Sequence, residues 1–472
     1  MKFYIIVFLM LTTVFGCKNE NTDEGDIAYF GGEIINPNKD YIVLYGPQMT
    51  TSDTILLDKK NRFLHKITHL IPGVYSFVHG EYQMVIVEPN DSIMLRLNTF
   101  DFDESLVFTG KGSKKNNYFI KEFLINEKEN KKLTQYCRLE PEAFENKMNL
   151  KKQKRLNELN LFTEKKQASD LFKSIAEARI EYNFYAAKEI YPFGYFGYKK
   201  LIHVKDLPES FYDYRKDLNY NDEKLTDVYA YNRFLAWHFN NLALQDFYEN
   251  NDFHSKFNRY SKCYNVTKLE LIDSLVTNSY IKNNLLKDVV SDFINISDNQ
   301  DSCDTILNTY LSLSSDEKDK NNVKELAAAL KKLKPGKIIP NIQLINFDGE
   351  TSHLQDLITK PTVIYFWSSN FKLLYRNSHY KVKKFKNEFP EINFISINVN
   401  NDDNKFWRKT LEQFKFPTKD EYKFKYPKES LKELALSSVY KVIIVDNKKA
   451  ITHSYANLFD EEFSAKLEKL IQ

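Results

Sequence analysis

Cysteine is scarce in this chain of 472 residues: there are four, at 17, 137, 263 and 303, and none follows Cys303. No Cys-x-x-Cys or Cys-x-x-His pair occurs, so the spacing of a structural zinc site is missing and nothing in the pattern implies a metal or other cofactor. An excess of one charge is also lacking. Lysine and arginine number 67 against 64 aspartate and glutamate, leaving a net charge of +3 with no arginine-rich block, and nucleic-acid binding has no electrostatic support. Glycine nearly vanishes between 117 and 334, where only Gly194 and Gly197 remain. That stretch is poor in turns and reads as helical.

What is present is ample apolar material, 42% hydrophobic with 15% aromatic residues, enough for packed cores in about two to four domains. The first sixteen residues carry Lys2 and an apolar run from Phe3 to Phe15, too short to span a bilayer as a mature helix. This reads as a secretory leader. Val14-Phe15-Gly16-Cys17 resembles the bacterial lipobox, and the resemblance implies that Cys17 is lipidated and becomes the mature N-terminus, anchoring the chain to a membrane. Residues 17–26 form a polar tether, and the absence of Asp after Cys17 implies outer-membrane rather than inner-membrane retention. Outside the cytoplasm, one pair among Cys137, Cys263 and Cys303 could form a disulfide and the third would be left over.

From 27 to 119 short alternating runs predict strands over 28–34, 41–45, 53–57, 62–67, 73–78, 84–87 and 92–97, separated by turn formers such as Pro72-Gly73 and Pro89-Asn90-Asp91. This spacing predicts a small antiparallel β-sandwich. Gly32-Glu33-Ile34-Ile35, Asp53 to Asp58, Gly73-Val74-Tyr75, Glu88 to Ile93 and Gly110 to Asn117 resemble a β-rich domain of unknown function that precedes thioredoxin-like domains in Bacteroidetes lipoproteins. The resemblance assigns architecture only. From 120 to 334 an all-helical middle is expected, with helices over 169–190 and 323–333 and an aromatic turn at 191–198. That turn reads as packing rather than a ligand site. His203, His238 and His254 lack paired spacing and read as satisfied histidines rather than metal ligands.

From 335 to 472 the pattern alternates in the βαβ manner: a hairpin-like element over 345–357, a central strand at 362–367, a helix over 374–389 and a strand at 393–399. A helix over 405–414, strands at 441–446 and 450–455 and a closing helix over 460–471 follow. Gly336-Lys337 with Pro340, the Asp348-Gly349 turn and the strand end Phe366-Trp367 resemble the opening of a TlpA- or ResA-type thioredoxin-like domain. The resemblance implies a thioredoxin-like α/β sandwich, with a dithiol after the strand and a cis-proline facing it. Here Phe371 and Leu374 stand where the two cysteines would be, and Tyr440 stands at the proline position. A dithiol reductase needs an exposed thiolate at a helix N-terminus and a second thiol one turn on, and neither side chain can serve. Ser368 and Ser369 with His379 superficially suggest a nucleophile and base, but no nucleophile elbow is present and helix capping is the simpler expectation.

The expected fold class is therefore multidomain α+β, with an N-terminal sandwich, a helical middle and a thioredoxin-like C-terminal part. The expected function is a redox-inactive binding or scaffolding lipoprotein of the cell envelope, its partner an envelope protein or glycan. The alternative is a TlpA-like thiol-disulfide oxidoreductase. Trp367, Phe371, Leu374 and Tyr440 should converge, either as an exposed contact patch or as an inward plug.

Overall fold

The computed structural model describes residues 27–166, 168–196, 204–250, 257–369, 371–400 and 404–471. The expected leader, tether and Cys17 lie outside them, as do Tyr198, His203 and His254. Alternating apolar residues build β1 (Ile27–Ile35), β2 (Tyr41–Tyr45), β3 (Ser52–Leu56) and β4 (Arg62–Thr68). They also build β5 (Gly73–His79), β6 (Glu81–Val87), β7 (Ser92–Asn98) and, after the short α1 (Phe102–Ser105), β8 (Val107–Lys111). Two four-stranded sheets result, in the orders β4-β1-β7-β8 and β3-β2-β5-β6. Their inward side chains fill one core, where the Phe30 ring lies 5.6 Å from Phe63 and 5.5 Å from Phe77.

The expectation of an antiparallel sandwich is corrected at one pairing, because β1 and β7 run parallel, from Tyr29 opposite Ser92 to Ile35 opposite Asn98. Gly32 permits their close approach. A Cβ there would sit 2.2 Å from the Leu95 carbonyl oxygen, at a φ of +157°. β8 escaped the sequence pattern because Phe108 is its one buried residue, which leaves no alternation to see.

α2 (Ser113–Tyr136) begins after Gly112, so the boundary expected at 119/120 falls inside this helix. Its first turn is tied to both sheets. The Asn116 side chain accepts from the Ile86 N–H at 2.8 Å and donates to the Ile86 carbonyl at 3.0 Å, while Asn117 does the same for Phe108 at 2.9 and 2.7 Å. Ile86 is on the edge strand β6 and Phe108 on the edge strand β8, so two amides take the place of a missing neighbouring strand at each edge. Lys115 adds ion pairs to Glu88 at 2.5 Å and Asp91 at 2.6 Å.

The helices continue as α3 (Pro141–Lys166), α4 (Asp170–Phe196), α5 (Tyr229–Asn250) and α6 (Lys262–Leu275). After them come α7 (Ser279–Ile296), α8 (Gln300–Leu313) and α9 (Glu317–Lys332). The aromatic turn expected at 191–198 is helical as far as Phe196, with Pro192 inside α4. Tyr191 and Tyr195, one turn apart, bury against Phe144, and the Tyr191 hydroxyl donates to the Leu139 carbonyl at 2.7 Å. That packing offsets the roughly 3 kcal/mol an internal proline costs.

Glu189 of α4 is wholly buried and saturated with donors. Its Oε1 accepts from Tyr214 at 2.8 Å, Arg215 Nε at 2.9 Å and His238 Nδ1 at 2.7 Å, and its Oε2 from Arg215 Nη2 and from Asn241 at 2.7 Å. Burial alone would raise its pKa; the Arg215 charge and the His238 contact outweigh that and hold it down at about 2. His238 is thus a satisfied core histidine, its Nε2 meeting the Tyr220 hydroxyl at 2.9 Å. Cys137, Cys263 and Cys303 are all free, so the disulfide left open by the sequence does not form among them.

The C-terminal part contains β9 (Gln343–Asn346), β10 (Thr351–His353), β11 (Thr362–Trp367), α10 (Lys372–Glu388), β12 (Asn393–Asn398) and α11 (Asn404–Phe414). β13 (Glu421–Phe424), α12 (Pro427–Glu433), β14 (Val442–Val445), β15 (Ile451–Ala456) and α13 (Phe463–Ile471) complete it. One seven-stranded sheet forms in the order β10-β9-β13-β12-β11-β14-β15. β11 is parallel to β12 and antiparallel to β14. All six residues of β11 are buried, as a strand covered on both faces requires. Val363 and Tyr365 face α10 and α13, whereas Ile364 and Phe366 join an apolar cluster that reaches the helical middle. β13 and α12 were not expected, since Lys415 to Lys425 is too polar to reveal a strand.

Candidate binding site

The four residues expected to converge are delivered by the end of β11, the start of α10 and the approach to β14. β11 carries Trp367 into a fully buried aromatic box with Tyr375, whose ring centroid is 5.5 Å away, and Trp407 of α11. The chain then turns, the Phe371 N–H donating to the Ser368 carbonyl at 3.1 Å. The Ser369 N–H donates to Asn400 Oδ1 at 2.8 Å, and its hydroxyl accepts from Asn398 at 3.3 Å. Ser369 is therefore tied to the end of β12. The residue at the cap position of α10 is Phe371, which offers no side-chain acceptor, so the expectation that the serines cap the helix is corrected.

The two positions of the expected dithiol behave differently. Phe371 is 51% exposed, whereas Leu374, one turn on, is buried. Neither the exposed patch nor the inward plug describes both: Trp367 and Leu374 go inward and Phe371 outward. Tyr440 is likewise 51% exposed. The β11–β14 register runs from Thr362 opposite Val445 to Tyr365 opposite Val442 and ends there, with Tyr440 in the turn before β14. Phe371 and Tyr440 are thus two half-exposed aromatics, while Trp367 and Leu374 are buried.

Two buried ionisable groups adjoin this region, Lys441, which the sequence did not signal, and His379, which it offered as a base. Lys441, next to Tyr440, is fully buried and donates to the carbonyls of Leu434 at 2.9 Å and Ala435 at 3.1 Å, at the C-terminal end of α12. Burial pushes its pKa down to about 7. His379 of α10 has both ring nitrogens engaged, Nδ1 with the Tyr375 carbonyl at 2.6 Å and Nε2 with Glu421 Oε1 at 2.9 Å, and it stacks on Phe416 at 4.0 Å. With both nitrogens taken it has none left to activate Ser368 or Ser369. Among the described residues no group of His, Cys, Asp and Glu is arranged to hold a metal.

A central strand followed by a helix, with neighbours in the order β12-β11-β14-β15 and the last two antiparallel, defines an α/β unit of the thioredoxin-like class. No protein family matches the chain by sequence, and no curated protein matches it. Among solved structures it is similar to the thioredoxin domain of a thiol-disulfide oxidoreductase from Bacteroides vulgatus, 18% identical over 30% of this chain and 99% of that one, with a TM-score of 0.26. It is also similar to a thiol:disulfide interchange protein from Bacteroides sp., 19% identical over 30% of this chain and 91% of that one, TM-score 0.26. A thiol-disulfide oxidoreductase from Bacteroides fragilis is 18% identical over 28% of this chain and 99% of that one, TM-score 0.25. The strand order, not these scores, defines the fold.

Proposed function

We propose that the chain is a cell-envelope lipoprotein, anchored through Cys17 and retained at the outer membrane, whose thioredoxin-like part is a redox-inactive binding module for an envelope protein or glycan. The observation that carries this reading is the pair of side chains opening α10: Phe371 and Leu374 offer no thiolate, and no cysteine follows Cys303. Two of the remaining thiols are poor substitutes, and the third, the exposed Cys263 in the first turn of α6, has no second thiol one turn on. Cys137 and Cys303 are buried, and burial pushes the Cys137 pKa up to about 12. Phe371 and Tyr440, each half-exposed beside a packed centre, are the contact residues of this reading.

Insulin reduction tests it. The purified protein is expected to reduce insulin no faster than dithiothreitol alone. Turnover above that background, lost when Cys137, Cys263 or Cys303 is replaced by serine, would make the protein an oxidoreductase of a different design.

A further inference from the structure

We propose that a cleft of about 610 Å³ between α10 and the segment 414–421 binds a small hydroxylated molecule bearing a phosphate or sulfate ester. This site is separate from the Phe371 and Tyr440 surface, neither of which lines it. Its volume lies within the roughly 300 to 1,000 Å³ of small-molecule sites and exceeds what a bare ion needs.

The charge on the rim is positive in balance, five cations against the carboxylates of Asp420 and Glu421. Arg376 and Lys383 reach it from α10, and Lys415 and Lys419 from the facing segment. Lys386 is neutralised by Asp420 at 3.0 Å, but among the described residues none of those four has a carboxylate within ion-pair distance. Cations facing one another across a cleft favour an anionic occupant. Arg376 lies 5.8 Å over the Phe414 ring, which holds its planar fork in place for an oxyanion rather than leaving it to roam.

The rest of the lining joins aromatic side chains, among them Tyr380, Phe414 and Phe416, to a few polar groups suited to hydroxyls. Asn377 and Asn387 supply amides, and Glu421 a carboxylate. Glu421 is almost wholly buried, with Oε1 held by His379, yet its Oε2 has no hydrogen-bond partner among the described residues. An unused buried acceptor of this kind is costly, and because Glu421 lines the cleft, a hydroxyl donor that reached Oε2 would complete it. Cations for an ester and amide and carboxylate groups for hydroxyls together match a sugar-sized ester.

Calorimetric titration of the full chain with glucose 6-phosphate, glucose 6-sulfate, glucose and inorganic phosphate tests this. At least one ester is expected to bind about tenfold or more tightly than either glucose or inorganic phosphate. Which ester does so identifies the source of the anion. Arg376→Ala and Lys415→Ala, both at exposed positions, are each expected to weaken that binding about tenfold with the melting temperature unchanged. Glu421→Gln also removes the partner of His379, so the rim variants decide. The proposal fails if neither ester binds, if inorganic phosphate binds as tightly as the esters, or if both rim variants bind like the parent.

Discussion

A neutral amine has two N–H donors, and the Lys441 side chain has two acceptors, the carbonyls of Leu434 and Ala435. Protonation adds a third N–H and a charge in a fully buried place, which is why burial brings the pKa from 10.5 to about 7. The unfolded chain keeps its proton up to the ordinary lysine range. Between about pH 7 and 10.5 the unfolded state therefore binds a proton that the folded state lacks, and stability rises with pH across that window. Below about 7 both states are protonated and the contribution is flat. Lys441→Met should remove this rise, so the gap in urea midpoint between parent and variant is expected to move in the parent's favour from pH 7 to pH 10. Identical pH slopes for the two proteins would show that Lys441 titrates normally. At this scale the sequence was legible where identity alone decides, as with Phe371 and Leu374 in place of thiols. It was silent on the burial of Lys441, and it offered His379 as a base because its partner Glu421, 42 residues on in β13, leaves no mark in the local pattern.

Among elements, the strands were legible where one face is buried and the other wet, as in β2, whose expected and observed bounds agree at Tyr41–Tyr45. Helix starts were harder. α9 begins at Glu317 behind an Asp316 cap whose side chain accepts from the Asp319 N–H, six residues before the apolar pattern at Val323 becomes visible. The parallel pairing of β1 with β7 was not legible, because strand direction leaves no mark on alternation. Nor was the role of Asn116 and Asn117, whose motif marked lineage without explaining itself. Asn116→Ala would orphan the buried N–H and carbonyl of Ile86, at about 1 to 3 kcal/mol for each group. Urea unfolding is expected to show a loss of about 2 kcal/mol or more for the two groups together. A change below about 0.5 kcal/mol, ordinary for a surface substitution, would mean that water or a shifted backbone replaces the amide.

For the whole molecule the question is whether the sandwich, the helices and the α/β unit stand or fall together. Interfaces between domains of one chain are usually modest and polar, which leaves the units independent. Here one apolar cluster runs from Val74 and Ile86 of the sandwich, through Phe234 and Leu286 of the helices, to Ile364 and Ile395 of the C-terminal sheet. Polar contacts reinforce it, as where the Gln48 N–H donates to Asp227 at 2.7 Å. At the other end Lys409 of α11 lies 5.4 Å over the Phe100 ring, joining the sandwich directly to the α/β unit. A shared core of this kind makes unfolding of one unit expose surface on the others, and that couples them. The three tryptophans allow a direct test. With Trp237→Phe in α5, the remaining reporters, Trp367 and Trp407, are buried together in the α/β unit. If the units are coupled, adding Asn116→Ala, far from both indoles in the chain, should shift the tryptophan transition in urea by the same amount as the circular-dichroism transition. A tryptophan midpoint that stays in place while the dichroism splits into two steps would show instead that the α/β unit folds on its own.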